Sequence, residues 1–184
     1  MTMSMKQILL SAFAVIAFNQ SAQAGILLEP YLGYVSGKLK APTADANYKG
    51  TELGARVGYS LLDFAVGAEY AMTNFTDDSS PAVDMKGADL GIFASFKFPI
   101  LVRAYATYFP SPESKNSSSG LSITSKSGNI TKLGVGFTGF PFINVNFEYI
   151  TGSFSKAESG GVEVPFDSKT TAYAISVSAP FDLL

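Results

Sequence analysis

Nine charged residues of this 184-residue chain alternate with apolar residues, so they would share one face of their strands. Ion pairing is the chemistry open to them, because an isolated charge in a confined interior is costly, whereas a paired and hydrogen-bonded one is tolerated. We expect a network in which Arg56 and Arg103 bridge Glu52, Glu69 and Glu148. The nine residues are Glu29, Glu52, Arg56, Glu69, Asp89, Lys97, Arg103, Lys132 and Glu148.

Residue types for other chemistry are missing from the sequence. The chain contains no histidine and no cysteine, which removes the usual proton shuttle, thiol nucleophiles and thiolate metal ligands. A formal net charge of −2, with no basic patch, argues against nucleic acid as a partner. We therefore single out no catalytic residue, no cofactor-binding residue and no metal ligand, and we expect neither an enzyme nor a cofactor.

The stretch from Thr51 to Met72 shows how the charges would be positioned. Apolar residues occupy every second position in two runs, which are separated by Leu61-Leu62-Asp63. The opposite face holds Glu52, Arg56 and Glu69 among glycines and alanines, a set that suits the crowded interior of a narrow barrel. The apolar face would then look outward, which is stable only if lipid surrounds the barrel.

The same alternation recurs along the chain and predicts an all-β protein, an eight-stranded antiparallel transmembrane up-and-down barrel. Long polar connections alternate with short turns, as this topology requires. The predicted strands are 28–39, 51–60, 64–72, 85–98, 100–109, 129–139, 143–151 and 170–179. The predicted polar loops are 40–50, 75–83, 110–128 and 155–168.

Aromatic residues concentrate near both ends of the predicted strands, where rings favour the two membrane interfaces. Those near the short turns are Tyr59, Phe64, Phe98, Phe140, Phe142 and Phe181. Those near the long loops are Tyr34, Tyr48, Tyr70, Phe75, Tyr108, Phe109 and Tyr149. We interpret the two sets as aromatic belts. The alternative is the core of an ordinary β-sandwich, which also contains many aromatic residues.

The first 24 residues have the features of a cleaved secretory signal peptide. Lys6 supplies the positive charge, 8–18 is apolar apart from Ser11, and Ala22-Gln23-Ala24 fits a small-x-small cleavage site. We expect cleavage to remove 1–24 and the barrel domain to comprise 25–184. A membrane anchor is the weaker reading, because the apolar run is shorter than the ~20 residues that span a bilayer.

An export signal, eight alternating strands, short turns at one end and polar loops at the other resemble the small outer-membrane barrels of the outer membrane protein A and X type. The resemblance covers essentially all of 25–184 and lies in this pattern rather than in a short motif. It implies location in the outer membrane of a Gram-negative bacterium and dependence on the export and barrel-insertion machinery. Such proteins usually end in an aromatic residue, whereas this chain ends Phe181-Asp182-Leu183-Leu184. Either Phe181 serves that role with a short overhang, or the C-terminal signal is atypical.

Small residues mark the outward face of the second to fifth predicted strands. Because small residues let membrane segments approach closely, this side is a candidate barrel–barrel interface. A ring of such barrels would enclose a hole walled by apolar surfaces, which would hold lipid rather than water. The candidate interface residues are Ala55, Ala68, Ala88, Ala94, Ala104 and Ala106.

These patterns favour a structural role, as an outer-membrane scaffold whose lumen is filled by ion pairs. Eight strands leave an interior about wide enough for side chains to fill. Membrane lipid and further copies of the chain are the expected partners. Two alternatives stay open: a porin-like channel for small solutes, and a soluble periplasmic barrel that binds an apolar ligand.

Overall fold

A computed structural model describes residues 24–41, 45–78, 82–118, 121–159 and 161–183 of the protein. The predicted signal peptide lies outside the described residues, apart from Ala24. In this part of the chain there is no helix long and apolar enough to cross a membrane. The described strands are β1 (Ala24–Lys40), β2 (Asp45–Leu61), β3 (Phe64–Asp77), β4 (Asp84–Phe98), β5 (Val102–Phe109), β6 (Ser114–Ser118), β7 (Leu121–Phe137), β8 (Asn144–Ser159), β9 (Val162–Ser178) and β10 (Phe181–Leu183).

The strands pair antiparallel in chain order, and the sheet closes on itself where β9 pairs with β1. Two wall strands are interrupted. β6 pairs with β4 and β7 and so continues β5, whereas β10 pairs with β1 and so continues β9. The wall therefore has eight strands, and the predicted eight-stranded antiparallel barrel is confirmed. Among the described residues the closed wall is paired all round, as a barrel in lipid requires, and the short β10 at its end is paired on one side.

Pro30 lies opposite the interruption between β9 and β10. The Ala179 N–H donates to the Pro30 carbonyl at 3.0 Å. In an antiparallel strand the N and the C=O of one residue point to the same side, so the Pro30 nitrogen also faces this break. That nitrogen carries no hydrogen and cannot donate a ladder hydrogen bond, and at the break between β9 and β10 no such bond is required.

Side-chain burial is the reverse of that in a soluble protein. Glu29 and Glu69 are fully buried inside the barrel, whereas Leu90 and Ile92 are 65% and 63% exposed on its outer surface. A band of exposed apolar residues surrounds the middle of the wall and leaves only lipid as a stable surrounding. The predicted orientation of the alternating faces agrees with this arrangement.

The predicted polar loops are too long, because most of their residues belong to strands. β2 begins at Asp45, β9 begins at Val162, and β6 with the first half of β7 occupies most of 110–128. In these extensions the alternation changes sign: Lys49 faces outward and Tyr48 inward. A wall that stands in water needs polar residues outside, so a search for outward apolar rows overlooks it. We call the strand ends beyond the apolar band, on the side of the predicted long loops, the crown.

Four tyrosines of the predicted belt near the long loops face outward, namely Tyr34, Tyr70, Tyr108 and Tyr149. All six aromatic residues near the short turns also face outward. Three further predictions for that belt are wrong. Tyr48 and Phe109 are buried in the lumen, and Phe75 is partly buried against the apolar core of the crown. The two-residue period places these rings on the inward face, since Phe109 follows Thr107 and Phe75 follows Thr73 in the inward rows of their strands.

Candidate functional site

Arg56 on β2 occupies the centre of the lumen and contacts three carboxylates. Its Nε donates to Glu69 Oε2 at 2.9 Å, its Nη1 to Glu29 Oε1 at 3.3 Å and its Nη2 to Glu148 Oε1 at 3.3 Å. The three glutamates come from β3, β1 and β8, so one guanidinium links opposite sides of the wall. The planar guanidinium has five N–H donors, which suits this multiple pairing.

Two tyrosine rings cover the Arg56 guanidinium, and a glycine makes room for each ring. Arg56 Cζ lies 4.6 Å from the ring centroid of Tyr31 and 4.3 Å from that of Tyr105, within the range of cation–π attraction. Gly54 and Gly134 are their respective cross-strand neighbours. A Cβ at Gly134 would lie about 2.5 Å from two carbons of the Tyr105 ring, so a side chain there would have to displace the ring.

Lys132 on β7 forms the layer of the network nearer the crown. Its Nζ donates to Glu69 Oε1 at 2.8 Å, also contacts Glu52, and lies 3.9 Å from Glu148 Oε2. The Tyr31 hydroxyl lies 2.7 Å from a carboxylate oxygen of both Glu52 and Glu69. Lys132 is only 1% exposed, and these carboxylates replace the water that its ammonium group loses.

Arg103 on β5 forms the layer nearer the short turns. Its two terminal nitrogens form a fork on the Glu29 carboxylate, with Nη1 2.7 Å from Oε2. Nη2 also lies 2.9 Å from Asn146 Oδ1 and 3.2 Å from Ser178 Oγ. Bidentate pairing of this kind is both strong and geometrically specific. Arg103 Nε is buried, and no atom in the described part of the chain is its hydrogen-bond partner.

The predicted partners of Arg103 are wrong. We expected it to bridge Glu52, Glu69 and Glu148, but its carboxylate partner is Glu29. Arg103 lies too far towards the short turns, and Lys132 takes the place on Glu52 that the sequence analysis gave to an arginine. Height along the barrel depends on the strand register, which residue types alone do not give.

Seven of the nine charged residues form one connected cluster, which we call the lumen network. Two do not join it. Asp89 is buried nearer the crown, where its Oδ1 accepts the Glu113 N–H at 2.9 Å. Lys97 lies at the short-turn end, partly exposed, with its Nζ 3.9 Å from Asp182. The network consists of Glu29, Glu52, Arg56, Glu69, Arg103, Lys132 and Glu148, with a formal charge of −1.

Neutral side chains, which the pattern of charged residues does not identify, complete the lumen network. Thr107 Oγ1 donates to Glu69 Oε2 at 2.5 Å, and Ser176 Oγ donates to Glu148 Oε1 at 3.1 Å. These residues lie on the inward face of their strands, so the two-residue period contained the signal. The neutral partners are Tyr31, Tyr105, Thr107, Asn146, Ser176 and Ser178.

Two cavities approach the lumen network from opposite ends of the barrel. The cavity on the crown side reaches Glu52 and Lys132, and the cavity on the short-turn side reaches Arg103. The two share no lining residue. The network therefore lies between them. Within the described residues, no three carboxylate, histidine or cysteine side chains cluster closely enough to hold a metal ion.

A closed antiparallel barrel with buried charges and an apolar outer band is an integral outer-membrane β-barrel protein. Solved structures share this fold. Neisserial surface protein A is 17% identical, with a TM-score of 0.59 over 86% of this chain and 99% of that protein. The attachment invasion locus protein Ail of Yersinia pestis, crystallised with the heparin analogue sucrose octasulfate, is 18% identical, with a TM-score of 0.58 over 85% and 99%. No family model and no curated protein sequence matches the chain.

Proposed function

We propose that the protein is a closed structural barrel of the outer membrane, whose lumen network blocks passage through it. The observation that carries this proposal is the packing of seven charged side chains, each no more than 5% exposed, across the lumen between two separate cavities. The wall would then serve membrane integrity and present the crown at the cell surface, where the long loops of such barrels lie.

Opening a path would require the network to separate. Each of the three cations contacts at least one glutamate, and Arg56 and Lys132 contact three each. Removing one partner of a buried ion pair costs roughly 3–5 kcal/mol, because it leaves an uncompensated charge out of water. At that cost the open form would be populated at well under 1%.

Conductance in planar lipid bilayers tests this proposal. We expect the purified wild-type protein to insert without discrete conductance steps, whereas truncation of the central cation in Arg56→Ala should produce them, if the variant folds. Folding is checked by heat-modifiable migration on a gel, because folded barrels migrate differently from boiled ones. Regular ion conductance by the wild type would contradict the closed barrel and favour the small-solute channel.

The structure bears differently on the two alternatives. The two cavities favour the channel as second candidate, because only the lumen network separates them. A soluble barrel conflicts with the band of exposed Leu, Ile, Val and Phe side chains around the wall, which water would not tolerate as a continuous surface. Recovery of the protein from the soluble periplasmic fraction would nevertheless restore that reading.

We also propose that the barrels self-associate through the alanine side and hold lipid between them. All six candidate alanines face outward, and Ala94 and Ala106 are direct cross-strand partners with Ala104 beside them. Ala55 and Ala88 lie apart, next to Tyr70 and Met72. The small-residue contact would therefore centre on β4 and β5, where a neighbouring barrel could approach closely.

Crosslinking in native membranes tests this association. A cysteine introduced at Ala94 should form a disulfide-linked dimer under oxidation, whereas one at Ile175 on the opposite, bulky side should not. Both positions face lipid, and the wild-type chain has no cysteine, so the two variants are matched. Equal crosslinking at both positions would indicate random collision, and monomer at both would remove the interface.

A further inference from the structure

The crown contains a cavity that the proposed structural role does not use. Its walls are mainly apolar, and the rings of Tyr48 and Phe75 pack against each other there with centroids 5.1 Å apart. The interior of an eight-stranded barrel has room for at most one small ligand. We call it the crown cavity, and its apolar lining residues are Leu39, Tyr48, Phe75, Met85, Ile130 and Phe154.

Two polar groups in the crown cavity have unused hydrogen-bonding capacity. Ser168 is 3% exposed, and its buried Oγ has no hydrogen-bond partner among the described residues. Asp89 is 8% exposed, and its Oδ1 accepts the Glu113 N–H at 2.9 Å, while no described residue donates a hydrogen bond to Oδ2. A buried hydroxyl without a partner costs free energy, so Ser168 indicates a place for a ligand group that hydrogen-bonds to it, and Asp89 Oδ2 can accept a further hydrogen bond there.

The charge of the crown cavity selects the kind of ligand. Its lining residues include Asp89, whose side chain is buried, and Glu113, whose side chain is exposed, but no lysine or arginine. Lys132 lines the adjoining deeper cavity, but its ammonium group is already bound to Glu52 and Glu69. A cationic group would therefore gain from the Asp89 carboxylate, whereas an anion would meet repulsion.

The wall around the crown cavity shows that a ligand enters from water rather than from the bilayer. Inward residues Leu39, Met85 and Ser168 line the cavity, and their strand neighbours on the outer surface are polar. Those outward neighbours are Lys38, Lys40, Asp84, Lys86, Asp167 and Lys169. A surface with these charges does not face hydrocarbon, so the cavity is accessible to water-soluble molecules rather than to membrane lipid.

We propose that the crown cavity binds a small water-soluble molecule with a protonated amine and an apolar, ring-sized body. The amine pairs with Asp89 and hydrogen-bonds to Ser168, while the body packs against Tyr48, Phe75 and Met85. Few polar groups converging in an apolar cavity are typical of small-molecule sites. Aromatic faces beside a carboxylate also attract ammonium groups.

Fluorine NMR on the full barrel in phosphatidylcholine nanodiscs tests the site. The probe is 4-fluorophenethylamine, compared with 2-(4-fluorophenyl)ethanol, which lacks the charge, and 4-fluorophenylacetate, which reverses it. Empty nanodiscs correct for partition into lipid. We expect saturable binding of the amine, at least tenfold tighter than of the alcohol, and no saturable binding of the acetate, because a hydrogen bond to a charged group is worth about 1.5–3 kcal/mol.

Three variants locate the binding. Asp89→Asn should weaken amine binding by about tenfold or more, and Met85→Trp should abolish it by filling the cavity. Asp167→Asn is the matched control, because this carboxylate precedes Ser168 in the same strand but faces outward. Equal affinity for amine and alcohol, unchanged affinity in Asp89→Asn, or no saturable binding by a wild type of normal heat-modifiable migration would each overturn the proposal.

Discussion

Glu69 is the residue whose replacement tests the lumen network most directly. Its Oε1 faces the Lys132 ammonium and its Oε2 faces Arg56 Nε, and both of these groups can only donate hydrogen bonds. In Glu69→Gln the amide nitrogen must therefore face one of the two cations, whichever way it is turned. One charge-assisted hydrogen bond is lost and both cations lose part of their compensation, so we expect a loss of roughly 3–5 kcal/mol in the free energy of unfolding.

The matched control is Glu158→Gln in the crown. Glu158 pairs with Lys126 across β7 and β8 at 2.6 Å, but both side chains are about a third exposed. A solvent-exposed pair contributes about 0–1 kcal/mol, because water and salt screen it. Urea titration of barrels folded in lipid vesicles, followed by heat-modifiable migration, measures both variants. If Glu69→Gln lost no more stability than Glu158→Gln, the buried network would contribute nothing and our reasoning would be refuted.

Three further predictions address the wall, the packing and the crown. Val57→Arg places a charge in the apolar band, and we expect it to lower the unfolding free energy in vesicles by about 2–4 kcal/mol; an unchanged value would place Val57 outside the bilayer. Gly134→Ala should cost about 1–3 kcal/mol by displacing the Tyr105 ring, and a crystal structure with the ring unmoved would contradict this. Hydrogen bonds from Asn47 lower the pKa of Asp78, so this contact stabilises the fold at neutral pH and is lost as pH falls through that lowered pKa. Asn47→Ala should therefore raise the pKa of Asp78 towards its ordinary value in an NMR titration. An unchanged pKa would show that Asn47 does not make this contact.

The wall inside the membrane follows from the sequence because its signal is local. Val57 and Arg56 are neighbours in the chain, and the two-residue period alone sends one outward and the other inward. The short turns are equally local. The strands in the crown are longer than predicted. Tyr48 and Lys49 follow the same two-residue period with the opposite polarity, whereas the prediction was based on outward apolar rows.

The pairing inside the lumen does not follow from the sequence in the same way. Arg103 and Glu29 lie 74 positions apart and meet only through the closure of the sheet and the register of each strand pair. The inward set was therefore predictable, whereas the choice of Glu29 over Glu148 as partner was not. Neutral partners such as Tyr31 were not predictable either, because their residue type does not identify them as members of an ionic cluster.

The change of polarity between the apolar band and the crown also fixes how deep the barrel sits. If the wall moved outward by one pair of residues, apolar side chains such as Leu53 would enter water; if it moved inward, Lys49 would enter hydrocarbon. Both displacements are unfavourable, so the change from apolar to polar outward side chains sets the depth of the barrel in the bilayer. Surface-facing groups of the crown are thereby held at a constant height above the headgroups, whatever the barrel's neighbours in the membrane.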